Sequence, residues 1–271
     1  VRVNTLKRAL VAFALAVPGA AIATVVAAPA AHADGCYTWN RNLYQGRSGE
    51  DVRQLQIRVA GWAGNRDIVE LDGRFGPKTA AAVRRFQAAY GLRVDGIAGP
   101  QTYAKIYELQ DNDCTPRHFS FGEMDDGCGR GGWTGGPLSP AQTRQNALRT
   151  MWKLEALRHS LGDEPLYVSS GFRSRACNDQ VGGASDSQHL YGNAADVVSR
   201  TSSLCEVARD ARNRGFSGIY GPGYPDHDDH VHVDSRRENN SDRTPNTTSW
   251  SAPDCGIGAG NDRAGQGQVD R

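Results

Sequence analysis

Asp72-Gly73-Arg74-Phe75-Gly76-Pro77-Lys78-Thr79 returns 23 residues later as Asp95-Gly96-Ile97-Ala98-Gly99-Pro100-Gln101-Thr102. In each copy the two glycines allow a tight turn, and the proline stands where a helix would begin, since its missing N–H has no partner at a first helical position. Each copy therefore launches a helix. After the first copy, Ala80, Val83, Phe86 and Tyr90 mark one helical face. Before it, Val52, Leu55, Val59 and Trp62 mark another, behind Ser48 and Asp51, which have the spacing of a capping box. The expectation is a small N-terminal module of three packed helices. The turn residues Asp72, Arg74 and Asp95 are its candidate ligand contacts.

Upstream of the module, basic residues Arg2, Lys7 and Arg8 precede an apolar run from Ala9 to Ala28 that closes on Ala31-His32-Ala33. That pattern reads as a secretory signal peptide over residues 1–33, so the first domain is expected at 34–114 and the protein outside the cell. The whole chain carries a formal charge of +1, which becomes −2 once those three cations are removed. No basic excess remains to attract nucleic acid through counterion release, and no membrane attachment is expected after cleavage. All six cysteines, Cys36, Cys114, Cys128, Cys177, Cys205 and Cys255, follow the cleavage site and none forms a C-x-x-C pair. Disulfides are expected rather than thiolate metal ligands, with sequential pairing as the economical arrangement.

A polar stretch, Gln110 to Thr115, marks the boundary of a second domain expected at 115–258, with 259–271 a glycine-rich disordered tail. Within it, Pro140 to Leu161 reads as a helix with Leu148, Trp152, Leu154 or Glu155, and Leu157 on its buried face. Pro165 to Ser170 reads as a strand, Leu204 to Arg214 as a helix, and Gly218-Ile219-Tyr220 and Asp229 to Val233 as strands. Arg236 to Thr248 has no apolar periodicity and reads as a surface loop.

The chemistry gathers in two stretches, Ser187-Gln188-His189-Leu190-Tyr191-Gly192-Asn193-Ala194-Ala195-Asp196 and Asp229-His230-Val231-His232. Hydrolytic zinc takes three protein ligands from histidine and carboxylate and keeps a fourth position open. His189, Asp196 and His232 supply three such ligands, and Asp229 is a spare carboxylate that could act as a general base. Asp196 lies within the apolar string Ala194 to Val198, where an unpaired buried acid would be costly, so a cation is expected beside it. Strand alternation puts His230 on the same face as His232. Arg173, permanently charged, suits an oxyanion or a free carboxylate. His118 and His159 have no sequence neighbours suited to a site and read as packing or surface residues.

Two resemblances sharpen these expectations. Leu43 to Leu109, with Val52-Arg53-Gln54-Leu55-Gln56, Phe86-Gln87 and the doubled D-G-x-x-G-P-x-T motif, resembles the peptidoglycan-binding module found beside many cell-wall hydrolases. From about Pro116 to His232, the order Ser170-Gly171-Phe172-Arg173-Ser174, then S-x-H-x-x-G-x-A-x-D, then D-x-x-H resembles the secreted zinc D-alanyl-D-alanine carboxypeptidases and their dipeptidase relatives. The resemblance implies an α+β fold, helices on an antiparallel sheet, and one zinc ion on His189, Asp196 and His232. It also implies Asp229 as general base, Arg173 on the substrate's carbonyl or carboxylate, and His227 and His230 assisting around the scissile bond. The implied partners are peptidoglycan and its stem peptides, approached by a monomer. An endopeptidase that cuts cross-links and a catalytically silent wall-binding protein remain as alternatives.

Overall fold

Helix α1 (Glu50–Val59) runs into a 3-10 turn (Ala60–Trp62), and α2 (Pro77–Ala89) and α3 (Pro100–Leu109) each start on the proline of one repeat copy. The computed structural model describes residues 35–64, 67–125, 132–238 and 248–258. The expected signal peptide, Cys128, most of the 236–248 stretch and the 259–271 tail lie outside them.

The repeat is built around two buried glutamines. Gln56 Nε2 donates to Asp72 Oδ1 (2.9 Å), the Arg74 carbonyl (3.0 Å) and Thr79 Oγ1 (3.2 Å), while its Oε1 accepts from Gly73 N (2.9 Å). Gln87 makes the same set with Asp95, the Ile97 carbonyl, Thr102 and Gly96. Buried amides require partners at both ends, and the motif supplies them. Asp72 and Asp95, candidate ligand contacts in the sequence, each also brace the turn of their copy by accepting from these amides. The expected capping box on α1 does not form: Gly49 is the N-cap with no side-chain bond, and Asp51 instead faces the Arg41 guanidinium at 2.6 and 3.0 Å. A charged bidentate partner outcompetes the cap for that carboxylate.

After a short helix α4 (Phe121–Met124), the long helix α5 (Pro140–Ser160) begins in a capping box of Ser139 and Gln142. It has no single buried face. Met151, Leu154 and Leu157 pack into the core of the second half, whereas Trp152 and Ala156 pack among Val52, Leu55, Trp62 and Phe86 of the module. Contact is close enough that a Cβ on Gly61 would stand 2.5 Å from Ala156 Cβ and 3.0 Å from Lys153 Cα. Trp152 Nε1 also donates to the Cys114 carbonyl (3.1 Å), and Cys114 is disulfide-bonded to Cys36. A second disulfide joins Cys205 to Cys255. Cys177 is disulfide-bonded as well. Among the described residues no helix is long and apolar enough to cross a membrane.

The sheet comprises β1 (Leu166–Ser170), β2 (Ala194–Ser199), β3 (Gly218–Tyr220), β4 (Val231–Asp234) and β5 (Ser249–Ser251) in the order β1-β2-β4-β3-β5. All pairings are antiparallel except β3 with β5. Helix α6 (Arg175–Gln180) follows β1, and α7 (Leu204–Ala211) follows β2, ending three residues before the expected Arg214. The fold is α+β, as expected. Ala195, Val197, Ile219, Val231 and Val233 point into the core from one face, which leaves Asp196, Tyr220 and His232 on the other.

Candidate metal centre

Asp196 and His232 are opposite one another in the β2–β4 register, and Tyr220 is the partner of His232 on β3. His189 comes from a 3-10 turn (Gln188–Tyr191) that ends on Gly192 at φ 70°. A side chain there would be strained by the backbone and would also meet the Thr143 carbonyl at 2.5 Å. The turn is pinned to both neighbours: Arg173 N donates to the His189 carbonyl (3.1 Å), and Ser235 N to the Asn193 carbonyl (3.1 Å). Buried Asn193 further joins Arg149 Nη2 (2.7 Å) to Gln188 Oε1 (3.1 Å).

Three donor atoms converge at the centre. Asp196 Oδ1 lies 3.2 Å from His189 Nε2 and 2.9 Å from His232 Nδ1, and the two nitrogens are 3.1 Å apart. All three residues are buried. Tetrahedral zinc with bonds near 2.0–2.1 Å would set its donors ~3.3 Å apart, so the cluster needs to open only slightly to hold one ion. The outer nitrogens support the same reading. His189 Nδ1 faces the Gly171 carbonyl at 2.6 Å and His232 Nε2 faces Asp234 Oδ2 at 3.1 Å. Both partners can only accept, so both outer nitrogens carry a proton, and each ring in its neutral form turns a lone pair inward. Two lone pairs and a carboxylate oxygen facing one another in a buried site suit a divalent cation. Gly171 makes the first contact possible, because a Cβ there would sit 2.0 Å from the Met124 carbonyl oxygen.

Burial lowers the His189 pKa, against the pull of Asp196. Burial would raise that of Asp196, but His189 and His232 outweigh it and hold the carboxyl well below the usual carboxylate range. The carboxylate is therefore ionised and ready as a ligand.

Around the centre, Arg173 donates Nη2 to Asp196 Oδ2 (2.7 Å) and Nε to Ser170 Oγ (2.9 Å). His230 Nε2 stands 3.7 Å from Asp196 Oδ1, and its Nδ1 is 2.7 Å from Asp229 Oδ1. Asp229 itself is 91% exposed, so it reaches the centre by way of His230. His227 bonds the Pro225 carbonyl through Nδ1 (2.7 Å) and packs its ring against His230 (4.8 Å) and His232 (6.0 Å). Tyr220 and Tyr224 complete this aromatic wall. His118 and His159 lie elsewhere; both have carboxylate partners that the sequence did not reveal, Glu155 and Asp163, but neither joins a metal-binding group.

Two features were missed in the sequence. Asp234 follows His232 by two positions within β4, so strand alternation places it on the same face, whereas His230 precedes the strand in a bend. Arg236, read as part of a surface loop, instead closes on Asp234 at 3.0 Å through Nε, because a fully buried carboxylate needs a cation.

Two buried histidines and one aspartate, two of the three on adjacent strands and the third on a turn beside them, form a group that could hold one metal ion, with a carboxylate–histidine pair and an arginine next to it. Residues 117–234 match the Peptidase M15 family model, and residues 48–106 match the peptidoglycan binding domain model. The zinc D-Ala-D-Ala carboxypeptidase of Streptomyces albus G is 52% identical over 264 residues, covering 94% of this chain and 98% of that protein. The N-acetylmuramoyl-L-alanine amidase CwlL of Bacillus licheniformis is 46% identical over 68 residues, 22% of this chain and 18% of that protein. The spore cortex-lytic enzyme of Oceanobacillus iheyensis is 37% identical over 73 residues, 26% of this chain and 25% of that protein. The chain belongs to the peptidase M15 family.

Proposed function

We infer that the protein is a zinc carboxypeptidase that removes the terminal D-alanine from D-Ala-D-Ala stem peptides of peptidoglycan. The observation that carries this reading is the convergence of His189 Nε2, Asp196 Oδ1 and His232 Nδ1 at 2.9 to 3.2 Å from one another, together with 52% identity to a zinc D-Ala-D-Ala carboxypeptidase along almost the whole chain. Zinc held there supplies Lewis acidity, polarising the scissile carbonyl and making water acidic enough to act as a nucleophile near neutral pH.

The chain's own residues provide the rest. Asp229 acts as base by way of His230: His230 Nε2, turned to the ligand set, accepts the proton of the attacking water and returns it to the leaving amine, while Asp229 accepts the hydrogen bond from Nδ1 and stabilises the charged ring. Its hydrogen bond to His230 lowers the Asp229 pKa, so the carboxylate is ionised throughout the neutral range. Arg173 holds Asp196 and places a permanent positive charge beside the centre, where it stabilises the developing oxyanion or the substrate's terminal carboxylate. His227 walls the site on the His230 side. Burial lowers its pKa, which keeps it neutral.

The helical module, residues 34–114, binds the glycan polymer and raises the effective concentration of the peptidase domain, residues 115–258, near its substrate. The disulfides Cys36–Cys114 and Cys205–Cys255 support a secreted protein working in an oxidising space. The test is hydrolysis of a soluble peptide ending in D-Ala-D-Ala: activity should vanish with a chelator and return with zinc. Activity that persists in fully zinc-free protein would refute the reading.

A further inference from the structure

We propose that Asp234 is a positioning residue that makes His232 present Nδ1, rather than Nε2, to the metal, and thereby sets zinc affinity. The inference rests on the zinc-centre reading above. Asp234 is fully buried at the end of β4, two residues beyond His232 and on the same face. Its Oδ2 accepts from His232 Nε2 at 3.1 Å. Its carboxylate is fixed from the other side by Arg236, whose backbone N reaches Oδ1 at 3.0 Å, Nε both oxygens at 3.0 Å, and Nη2 Oδ2 at 2.5 Å. The Arg236 guanidinium also lies over the Tyr220 ring, 5.3 Å from its centroid, so the clamp is itself packed against the β3 partner of His232.

The sheet has made room for this group. Gly218 is the register partner of Asp234 on β3, and a Cβ there would stand 2.1 Å from Oδ2. Any larger residue would push the carboxylate out of line with the imidazole. The two histidines consequently offer different nitrogens: His189 gives Nε2 because its Nδ1 donates to a carbonyl, and His232 gives Nδ1 because its Nε2 donates to a carboxylate. A carboxylate acceptor also raises the basicity of the opposite ring nitrogen, which strengthens it as a ligand.

The first test is nitrogen NMR of the histidine rings in the intact zinc-loaded protein. His232 should show a protonated Nε2 and a metal-bound Nδ1, and His189 the reverse; a metal-bound Nε2 on His232 would overturn the proposal without any variant. The second is zinc competition against a chelator for Asp234→Asn, measured below the melting midpoint of the metal-free variant. The expected result is a zinc Kd weaker by about 10- to 100-fold. A purely structural role would lower the melting midpoint and leave the Kd of the folded variant unchanged, and that outcome overturns the proposal. Failure of the wild-type protein to bind zinc would instead strike at the proposed function.

Discussion

Asp196 and His232 are register partners on neighbouring antiparallel strands, with Asp196 Oδ1 2.9 Å from His232 Nδ1. Two of the three proposed metal ligands are therefore held by the sheet ladder itself, and only His189 depends on a turn. The histidine turn is tied down in compensation by hydrogen bonds at Gly171, Arg173 and Asn193.

Removing either histidine should empty the centre. His189→Ala and His232→Ala should each lose zinc and hydrolytic activity together, because two donors cannot hold the ion against water. Elemental analysis of the purified variants checks this, and full zinc content in both would contradict the ligand assignment.

Asp229→Asn should behave differently. Asp229 is exposed and touches the centre only through His230, so zinc content should stay at the wild-type level. Activity should fall by something like 10²- to 10⁴-fold, the usual cost of losing a general acid or base. A variant that loses zinc, paired with an Asp196→Asn variant that keeps it, would show the two carboxylates in exchanged roles.

Much of this was legible in the chain, for physical reasons that can be named. The repeat announced α2 and α3 because proline at a first helical position after paired glycines is a local signal. His230 does approach the ligand set, but from the bend before β4 and not from the strand expected at Asp229 to Val233, which begins only at Val231. What stayed hidden depended on long-range partners. Asp51 looked like a capping residue until Arg41 arrived from ten residues away. Arg236 looked like loop because its function is to neutralise a buried carboxylate, which leaves no hydrophobic period. Helix α5 was expected to bury one face, yet it is buried on two sides by different cores, and no single periodicity expresses that.

Zinc affinity should fall with decreasing pH, and His232 should be the group responsible. In the metal-free protein burial pushes the His232 pKa down, but hydrogen bonds and charge from Asp196 and Asp234 outweigh it and raise it above the ordinary histidine value. His189 moves the other way, lowered by burial, and carries no proton to displace near neutrality. Zinc thus competes with one proton: below the raised pKa of His232 the apparent affinity should drop about tenfold per pH unit, and above it the affinity should level off. Competition titrations across the neutral range measure this slope. Release of two protons per zinc would contradict it.

The module and the peptidase half should melt as one. Trp152 and Ala156 on α5 are buried in the module's core, and Gly61 lies directly against α5. Calorimetry of the intact protein should show a single transition, and Gly61→Ala, whose new Cβ meets both a side chain and the α5 backbone, should lower the stability of the whole by about 1–3 kcal/mol. Two separate transitions, or a shift confined to one of them, would show that the halves fold independently.

The bond that is cut defines the enzyme. Stem pentapeptides ending in D-Ala-D-Ala and cross-linked muropeptide dimers should be digested side by side with the zinc-loaded protein and the fragments identified by mass. Each pentapeptide should yield one free alanine and a shortened stem, at a rate far above any opening of the cross-link. Rapid conversion of dimers to monomers with the pentapeptide left whole would contradict it.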